Sequence, residues 1–108
     1  MFLEKADPPM NVVFRINELS WDPPANDGGF EVLGYLLSWR KEGETQWRKV
    51  RKGGAVTSRT FRPTFDAEYC VHAETEVGVS KGSTPCTVTL QRNGLLTYFA
   101  FSRFYICD

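Results

Sequence analysis

The alternation of side chains in residues 34–40 constrains the fold of this chain more than any other feature. Tyr35, Leu37 and Trp39 are spaced two residues apart, so an extended chain places all three on one face. Ser38 and Arg40 fall on the opposite face. The pattern predicts a β-strand with one buried, aromatic face, and therefore a sheet that covers a core.

Short apolar stretches separated by turn residues continue along the sequence up to residue 90, and none has a helical period. The predicted strands are 11–14, 15–21, 30–40, 46–51, 55–61, 68–75 and 84–90. Seven short strands with turns between them are typical of two antiparallel sheets packed face to face.

The order of these residues resembles the fibronectin type III domain, an immunoglobulin-like family, over residues 8–90. The matching positions are Trp21, Pro23, Pro24, Gly28, Gly29, Tyr35, Leu37, Trp39, Phe61, Pro63, Val71, Ala73, Gly78 and Ser80. The resemblance implies an all-β, seven-stranded Greek-key sandwich, with strands A, B and E in one sheet and C′, C, F and G in the other. It also implies a domain that binds other proteins and performs no chemistry.

The length of 108 residues leaves room for one domain with one core. We expect residues 1–7 to be a linker, residues 8–90 to be the domain and residues 91–108 to be an apolar tail. Three possibilities stay open for the tail: it docks as an extra strand, begins a following element, or is the non-native end of a truncated or misread gene. The last two are favoured together, because so apolar an exposed patch rarely persists on a monomer.

Two positions depart from the family pattern. The family has a tyrosine whose hydroxyl ties strand F to the E–F turn, and counting back from Ala73 assigns that position to Ala67. The missing ring and hydrogen bond would cost about 2–4 kcal/mol, unless Phe65 or Tyr69 partly fills the gap. Asn17 stands where an apolar side chain is expected, and its burial requires hydrogen-bond partners or a shifted strand. We therefore expect an atypical member of the family.

The composition predicts no catalytic residues, no metal site and no cofactor. The formal net charge of zero argues against bulk attraction to nucleic acid or to a membrane surface. His72 is the single histidine and has no nearby nucleophile pattern, so we expect a surface residue. The three cysteines lack the paired spacing of a zinc site. As an isolated domain, the chain is expected to be a monomer.

Cys70 and Cys86 fall on strands F and G, which the resemblance places in one antiparallel hairpin about Gly78. We expect these cysteines to lie nearly opposite each other and to point outward, within reach of a disulfide that implies an oxidising compartment. The alternative is two reduced cysteines in an intracellular protein, and the odd third cysteine, Cys107, supports it.

Basic residues are concentrated between positions 40 and 62, and they define a candidate binding face. On a strand, Trp47, Lys49 and Arg51 share one side, and Arg40 of the neighbouring strand adds to it. Such a face suits a sulfated glycan or an acidic protein surface. The alternative is a solvated edge strand whose lysines and arginines prevent pairing with other chains.

Protein recognition in the family often uses the loops at one end of the sandwich. The candidate binding residues in those loops are Pro24, Asn26, Asp27, Glu76, Val77 and Val79. Neither loop contains Arg-Gly-Asp, so binding to integrins in that mode is not supported.

Taken together, these features predict a protein-binding or spacer module of a larger, multidomain cell-surface adhesion or signalling receptor, located outside the cell. No apolar signal segment follows Met1, so the chain is either intracellular or a piece of a longer protein, and we favour the second. Three alternatives stay open: a cytoplasmic module of cytoskeletal type, an accessory part of a larger hydrolase, and a truncated copy without independent function.

Overall fold

The computed structural model describes residues 3–50 and 55–91, together with the backbone of residues 104–106. Its strands are β1 (Met10–Arg15), β2 (Glu18–Asp22), β3 (Gly34–Arg40), β4 (Arg48–Lys49), β5 (Thr60–Phe61), β6 (Ala67–Thr75), β7 (Gly78–Val79), β8 (Cys86–Val88) and β9 (Phe104–Ile106). Within these residues, no helix has the length and apolar character needed to cross a membrane.

The strands form two antiparallel sheets. One has the order β5-β2-β1-β9, and the other has the order β4-β3-β6-β7, with β8 also paired to β6. These orders contain the predicted groups A-B-E and C′-C-F-G, so the all-β, two-sheet architecture is confirmed. The strand count differs from seven, because β7 and β8 are separate segments after the turn that ends β6, and β9 pairs with the outer edge of β1.

The longest pairing joins β3 to β6, in a register that runs from Gly34 opposite Glu74 to Arg40 opposite Glu68. The alternation predicted for residues 34–40 is confirmed, since Tyr35 and Leu37 are buried in the core. The core side chains from both sheets that the structure describes are Ala6, Val12, Phe14, Leu19, Trp21, Tyr35, Leu37, Ala67, Tyr69, Val71, Ala73, Cys86 and Val88. A single apolar layer between two sheets is the expected interior of a β-sandwich.

The hydroxyl that ties β6 to the preceding turn belongs to Tyr69. It donates a hydrogen bond of 2.8 Å to the carbonyl oxygen of Phe65, and Tyr69 is completely buried. The prediction that Ala67 leaves this position empty is therefore wrong. Because side chains two residues apart on a strand share a face, a count that slips by two still lands on an inward position.

Asn17 is a turn residue and not part of a buried strand. Ile16 and Asn17 have φ angles of 50° and 59°, which identifies a type I′ turn between β1 and β2. Arg15 pairs with Glu18 across this turn. The predicted strand 15–21 therefore begins three residues later, and the carboxamide of Asn17 finds partners in the backbone of Gln91.

The two ends of the described chain lie against the sandwich. Ala6 is only 5% exposed, and the amide of Asp7 donates to the carbonyl oxygen of Asn26 at 2.8 Å. The boundary between linker and domain at residue 8 stays a prediction, although the core already includes Ala6. The backbone of residues 104–106 pairs with β1, which is the extra-strand possibility that we had favoured less. The rest of the predicted tail beyond Gln91 lies outside the described residues.

Candidate functional site

The end of β3 and the start of β4 form a short ribbon in which tryptophan and arginine alternate. Trp39 pairs with Arg48 across the two strands. The guanidinium carbon of Arg40 lies 4.4 Å from the ring centroid of Trp47, and that of Arg48 lies 5.3 Å from the ring centroid of Trp39. Each arginine thus stacks on the tryptophan of the other segment, and the two stacks fall on opposite faces because neighbouring side chains alternate. We call these four residues the Trp–Arg ribbon.

Arg40 is held from two sides. Its Nε and Nη2 atoms donate to Oε2 of Glu68 at 3.2 and 3.1 Å, while Trp47 covers its guanidinium plane. The side chains of Arg40 and Glu68 are 27% and 19% exposed, so solvent only partly screens the ion pair. This arrangement fixes one rotamer of a long side chain, and a partner that binds there would not have to order it.

On the other face of the ribbon, Trp39 packs edge-on against Phe65, with ring centroids 4.8 Å apart. Phe65 also contacts the buried ring of Tyr69 at 5.8 Å, yet Phe65 itself remains 37% exposed. Arg48 is exposed beside this aromatic group. Rigid aromatic and arginine side chains at a surface have the composition of protein-binding hot spots.

The structure brings together three of the four residues of the predicted basic face. Arg40 and Trp47 are in contact, and Lys49 is exposed opposite Ser38, on the same side of the sheet as Arg40. Arg51 lies outside the described residues. Sequence reasoning missed Arg48 as a stacking partner, although the Trp-Arg dipeptide occurs at both 39–40 and 47–48. Binding by this face stays a prediction.

Two of the side chains predicted to bind, those of Asn26 and Asp27, hold their own loop in place. Oδ1 of Asn26 accepts from the amide of Gly28 at 2.9 Å, and Oδ1 of Asp27 accepts from the amide of Gly29 at 2.8 Å. In the second loop, the amide of Val77 donates to the Thr75 hydroxyl at 3.2 Å. It stays a prediction that the loops bind a partner through Pro24, Asn26, Asp27, Glu76, Val77 and Val79.

His72 lies in a polar cluster on the outer face of β6. Its Nδ1 is 3.1 Å from the carbonyl oxygen of Ser80, so Nδ1 must carry the proton. In the neutral imidazole, Nε2 then accepts from the Ser38 hydroxyl, at 3.1 Å. Cys70 lies 3.5 Å from the same nitrogen, but burial raises the pKa of its thiol to about 11. Because the thiolate is the nucleophilic form, this cluster is not arranged for nucleophilic catalysis.

The predicted disulfide between Cys70 and Cys86 is not formed, since Cys70 is a free, buried thiol. The strand register gives the reason. Cys86 lies opposite Tyr69 and not opposite Cys70, so Cys86 points into the core with Tyr69 while Cys70 points to the outer face. No group of three or more histidine, cysteine or acidic side chains suitable for a metal ion occurs among the residues described.

Comparisons with known proteins place this geometry in context. No family model matches the chain. Fast-type myosin-binding protein C of Mus musculus is 43% identical over 87 residues, covering 71% of this chain and 8% of that protein. The slow-type human protein is 31% identical over 72 residues, or 62% of this chain and 6% of that protein. Titin of Drosophila melanogaster is 30% identical over 93 residues, or 78% of this chain and, to the nearest per cent, 0% of titin.

Solved structures agree in fold. A solved structure of a human FNIII domain has a TM-score of 0.62 at 18% identity, covering 84% of this chain and 83% of that domain. Domains A168–A170 of titin give a TM-score of 0.62 at 26% identity, with 76% of this chain and 30% of that chain covered. The chain is a fibronectin type III-like domain.

This fibronectin type III-like domain spans less than a tenth of the length of the two myosin-binding proteins C that it matches. Each aligned segment is therefore a small part of a much longer protein. The Trp–Arg ribbon and the exposed ring of Phe65 are the features of this module that suit contact with another protein.

Proposed function

We propose that this fibronectin type III-like domain is a protein-binding, non-enzymatic module of a large cytoskeletal protein of the muscle type. The observation that carries the proposal is the 43% identity to fast-type myosin-binding protein C over 87 residues. The relatives favour the cytoplasmic, cytoskeletal interpretation, which we gave as an alternative, over the cell-surface receptor that we preferred from the sequence.

The sheet edge that the Trp–Arg ribbon forms is the proposed binding face, so that a partner would meet the two stacks from the edge of β4. Tryptophan and arginine are the residues that most often dominate binding energy in protein interfaces. Here both stacks and the ion pair with Glu68 are already formed, so little side-chain freedom is lost on binding. Arg48 and Lys49 are exposed, so an acidic surface on the partner would be complementary.

Myosin is the first partner to test, because the names of two relatives state that they bind it. The chain is sedimented with purified myosin filaments over a range of concentrations. We expect Arg48→Ala to weaken binding about fivefold or more, as loss of a hot-spot residue does. Arg62→Ala is the matched control, because Arg62 is an exposed arginine that follows β5 in the other sheet.

Equal binding of both variants would exclude the ribbon as the binding face. If the wild-type domain does not sediment with the filaments, the spacer interpretation replaces binding to myosin. Retention on heparin tests the sulfated glycan that the basic face also suits. Loss of retention in Lys49→Ala but not in Arg62→Ala would support that ligand at the basic face.

A further inference from the structure

The sheet that contains β3 and β6 has a free edge at β4. In the order β4-β3-β6-β7, β4 is the outermost strand, and among the described residues it pairs only with β3. Its two residues, Arg48 and Lys49, are both exposed. The edge of a sheet carries backbone groups that can pair with a further strand, so this edge is a place where another chain can add to the sandwich.

The register shows which backbone groups of β4 point away from β3. The amide of Val50 donates to the carbonyl oxygen of Leu37 at 3.0 Å, and Lys49 lies opposite Ser38. In an antiparallel pair, residues that exchange hydrogen bonds alternate with residues that do not. Because Val50 and Leu37 belong to the first kind, Lys49 belongs to the second. The N–H and C=O groups of Lys49 therefore point outward from the sheet.

Side chains on both faces of the sheet frame this edge. Lys49 is on the same side as Arg40, which stacks on Trp47 at 4.4 Å. Arg48 is on the other side, where its guanidinium carbon lies 5.3 Å from the ring centroid of Trp39. Since consecutive strand residues alternate between faces, the edge presents one positive charge on each face, and a tryptophan ring lies on each face as well.

The charge on β4 limits which strand can add to it. The acidic residues between β3 and β4, Glu42 and Glu44, belong to a turn closed by the hydrogen bond from the Glu44 amide to the carbonyl oxygen of Lys41. The strand itself carries only the positive charges of Arg48 and Lys49. Two copies of this chain paired through β4 would bring like charges together, which is unfavourable. An acidic strand is complementary, and it needs two adjacent acidic residues, one for each face.

We propose that the edge of β4 takes up an extended segment of a partner protein as an additional strand, and that this segment carries two adjacent acidic residues. The outward N–H and C=O groups of Lys49 bond the backbone of the segment, while the charges of Arg48 and Lys49 select its side chains. This rests on the proposed function, because it specifies the form of the partner that binds at the same sheet edge.

Amide hydrogen exchange, measured by NMR on the full chain, tests the backbone pairing directly. The probe is a synthetic peptide with two adjacent glutamates between valines and threonines, and the same peptide with lysines in place of the glutamates is its control. The amide of Val50 is the internal reference, because it already donates to Leu37. With saturating acidic peptide, we expect exchange to slow about tenfold at Lys49 and much less at Val50.

Three results of this measurement would overturn the proposal. One is that the acidic peptide does not bind. Another is that it binds without slowing exchange at Lys49, since the contact would then be made by side chains. The third is that the lysine peptide protects Lys49 equally well, because the charges of β4 would then select nothing.

Methylation of the peptide amides separates backbone pairing from side-chain contact. In an added strand, alternate amides face the neighbouring strand and the others face away. Two peptides are therefore N-methylated on the two alternate sets of amides. We expect one of them to lose affinity about fivefold or more, as loss of backbone hydrogen bonds predicts, and the other to bind nearly as well as the unmodified peptide. Equal affinities of the two would contradict strand addition.

Two substitutions at Lys49 make the same separation in the protein. Lys49→Pro removes the outward N–H and leaves the bonds to β3, since proline is tolerated on an edge strand where the N–H faces solvent. Lys49→Gln keeps the N–H and removes the charge. We expect Lys49→Pro to weaken binding of the acidic peptide more than Lys49→Gln does, and equal affinities would count against the proposal. If Lys49→Pro does not fold, the methylated peptides give the decision.

Failure of this proposal and failure of the proposed function give different results, because the peptide experiments use no myosin. A domain that does not sediment with myosin filaments but takes up the acidic peptide has another partner, and strand addition stands. If Arg48→Ala weakens sedimentation with the filaments while no peptide protects Lys49, the sheet edge binds through side chains alone. In that case the proposed function stands and strand addition is wrong.

Discussion

The hydroxyl of Tyr69 lies 2.8 Å from the carbonyl oxygen of Phe65, and this hydrogen bond closes the turn that leads into β6. The same turn carries the exposed ring of Phe65, which packs on Trp39 of the Trp–Arg ribbon, and the carboxylate of Asp66, which holds Leu90. One buried tyrosine therefore supports both the proposed binding face and the turn whose Asp66 holds the backbone of Leu90.

Removing that hydroxyl should destabilise the domain. We expect Tyr69→Phe to lower the free energy of unfolding by about 1–2 kcal/mol, because the ring is kept and one buried hydrogen bond is lost. Urea unfolding followed by tryptophan fluorescence measures the change. Tyr35→Phe is the control, since Tyr35 is also buried and no hydrogen bond of its hydroxyl to the described residues is seen. Equal losses in the two variants would argue against a special role for the Tyr69 bond.

The period of the strands was predictable from side chains two residues apart, which the sequence displays directly. The grouping of the strands into two sheets followed from the resemblance to the fibronectin type III domain. The same period explains the error at Ala67, because a slip by two residues leaves the inward face unchanged. A shift by one residue instead moves a side chain to the other face of the sheet. Such a shift places Cys86 opposite Tyr69 and separates it from Cys70.

The partners of Asn17 were not predictable in the same way. The sequence shows an asparagine at an unexpected position, but its bonds reach Gln91, 74 residues further along the chain. A pairing at that separation depends on how the two sheets stack. The Trp–Arg ribbon was only partly predictable. The repeated Trp-Arg dipeptide is visible in the sequence, but which arginine stacks on which tryptophan depends on the register of β3 and β4.

Stability should fall at alkaline pH. Burial raises the pKa of the Cys70 thiol from 9.0 to about 11 and that of Tyr69 from 10.0 to about 12. Both groups lose a proton more easily in the unfolded chain, so their stabilising effect is complete below the unfolded pKa and is lost as the pH rises toward the folded pKa. Between pH 8.5 and 10.5 we expect a loss of about 1–2 kcal/mol, mainly from Cys70.

Urea unfolding at a series of pH values tests this dependence, with Cys70→Ala as the comparison. The variant should lose clearly less stability over the same interval, whatever its stability at neutral pH. A parallel decline in both proteins would assign the effect to other groups.

Gly82 covers the free thiol, and a larger residue there should be poorly tolerated. A Cβ atom at position 82 would lie 2.9 Å from Sγ of Cys70 and 3.1 Å from Cε1 of His72. We expect Gly82→Ala to lower the free energy of unfolding by about 1–3 kcal/mol, the range found for overpacked sites. In the double variant with Cys70→Ala the loss should be smaller, because the closer of the two atoms is removed. Additive effects in this cycle would contradict the assigned contact.

The contact between the segment before β1 and the loop at residues 26–29 can be tested with two adjacent glycines. Gly28 and Gly29 both have positive φ angles, 74° and 92°, so alanine costs about 1 kcal/mol at either position from backbone strain alone. A Cβ at Gly28 would also overlap the carbonyl oxygen of Glu4, whereas nothing lies within 4 Å of a Cβ at Gly29. Gly28→Ala should therefore displace residues 4–7, and Gly29→Ala should not.

The amide of Asp7 reports this displacement, because it donates to the carbonyl of Asn26 at 2.8 Å. We expect its hydrogen exchange to accelerate in Gly28→Ala and to stay unchanged in Gly29→Ala. Trypsin cleavage after Lys5 should accelerate in the same variant, since Ala6 is then no longer held in the core. Equal rates in both variants would mean that residues 4–7 behave as the linker predicted from the sequence. Faster exchange and cleavage in Gly28→Ala alone would show that the folded domain includes Ala6. It would also show that the N-terminal segment lies against the loop where partners were expected to bind.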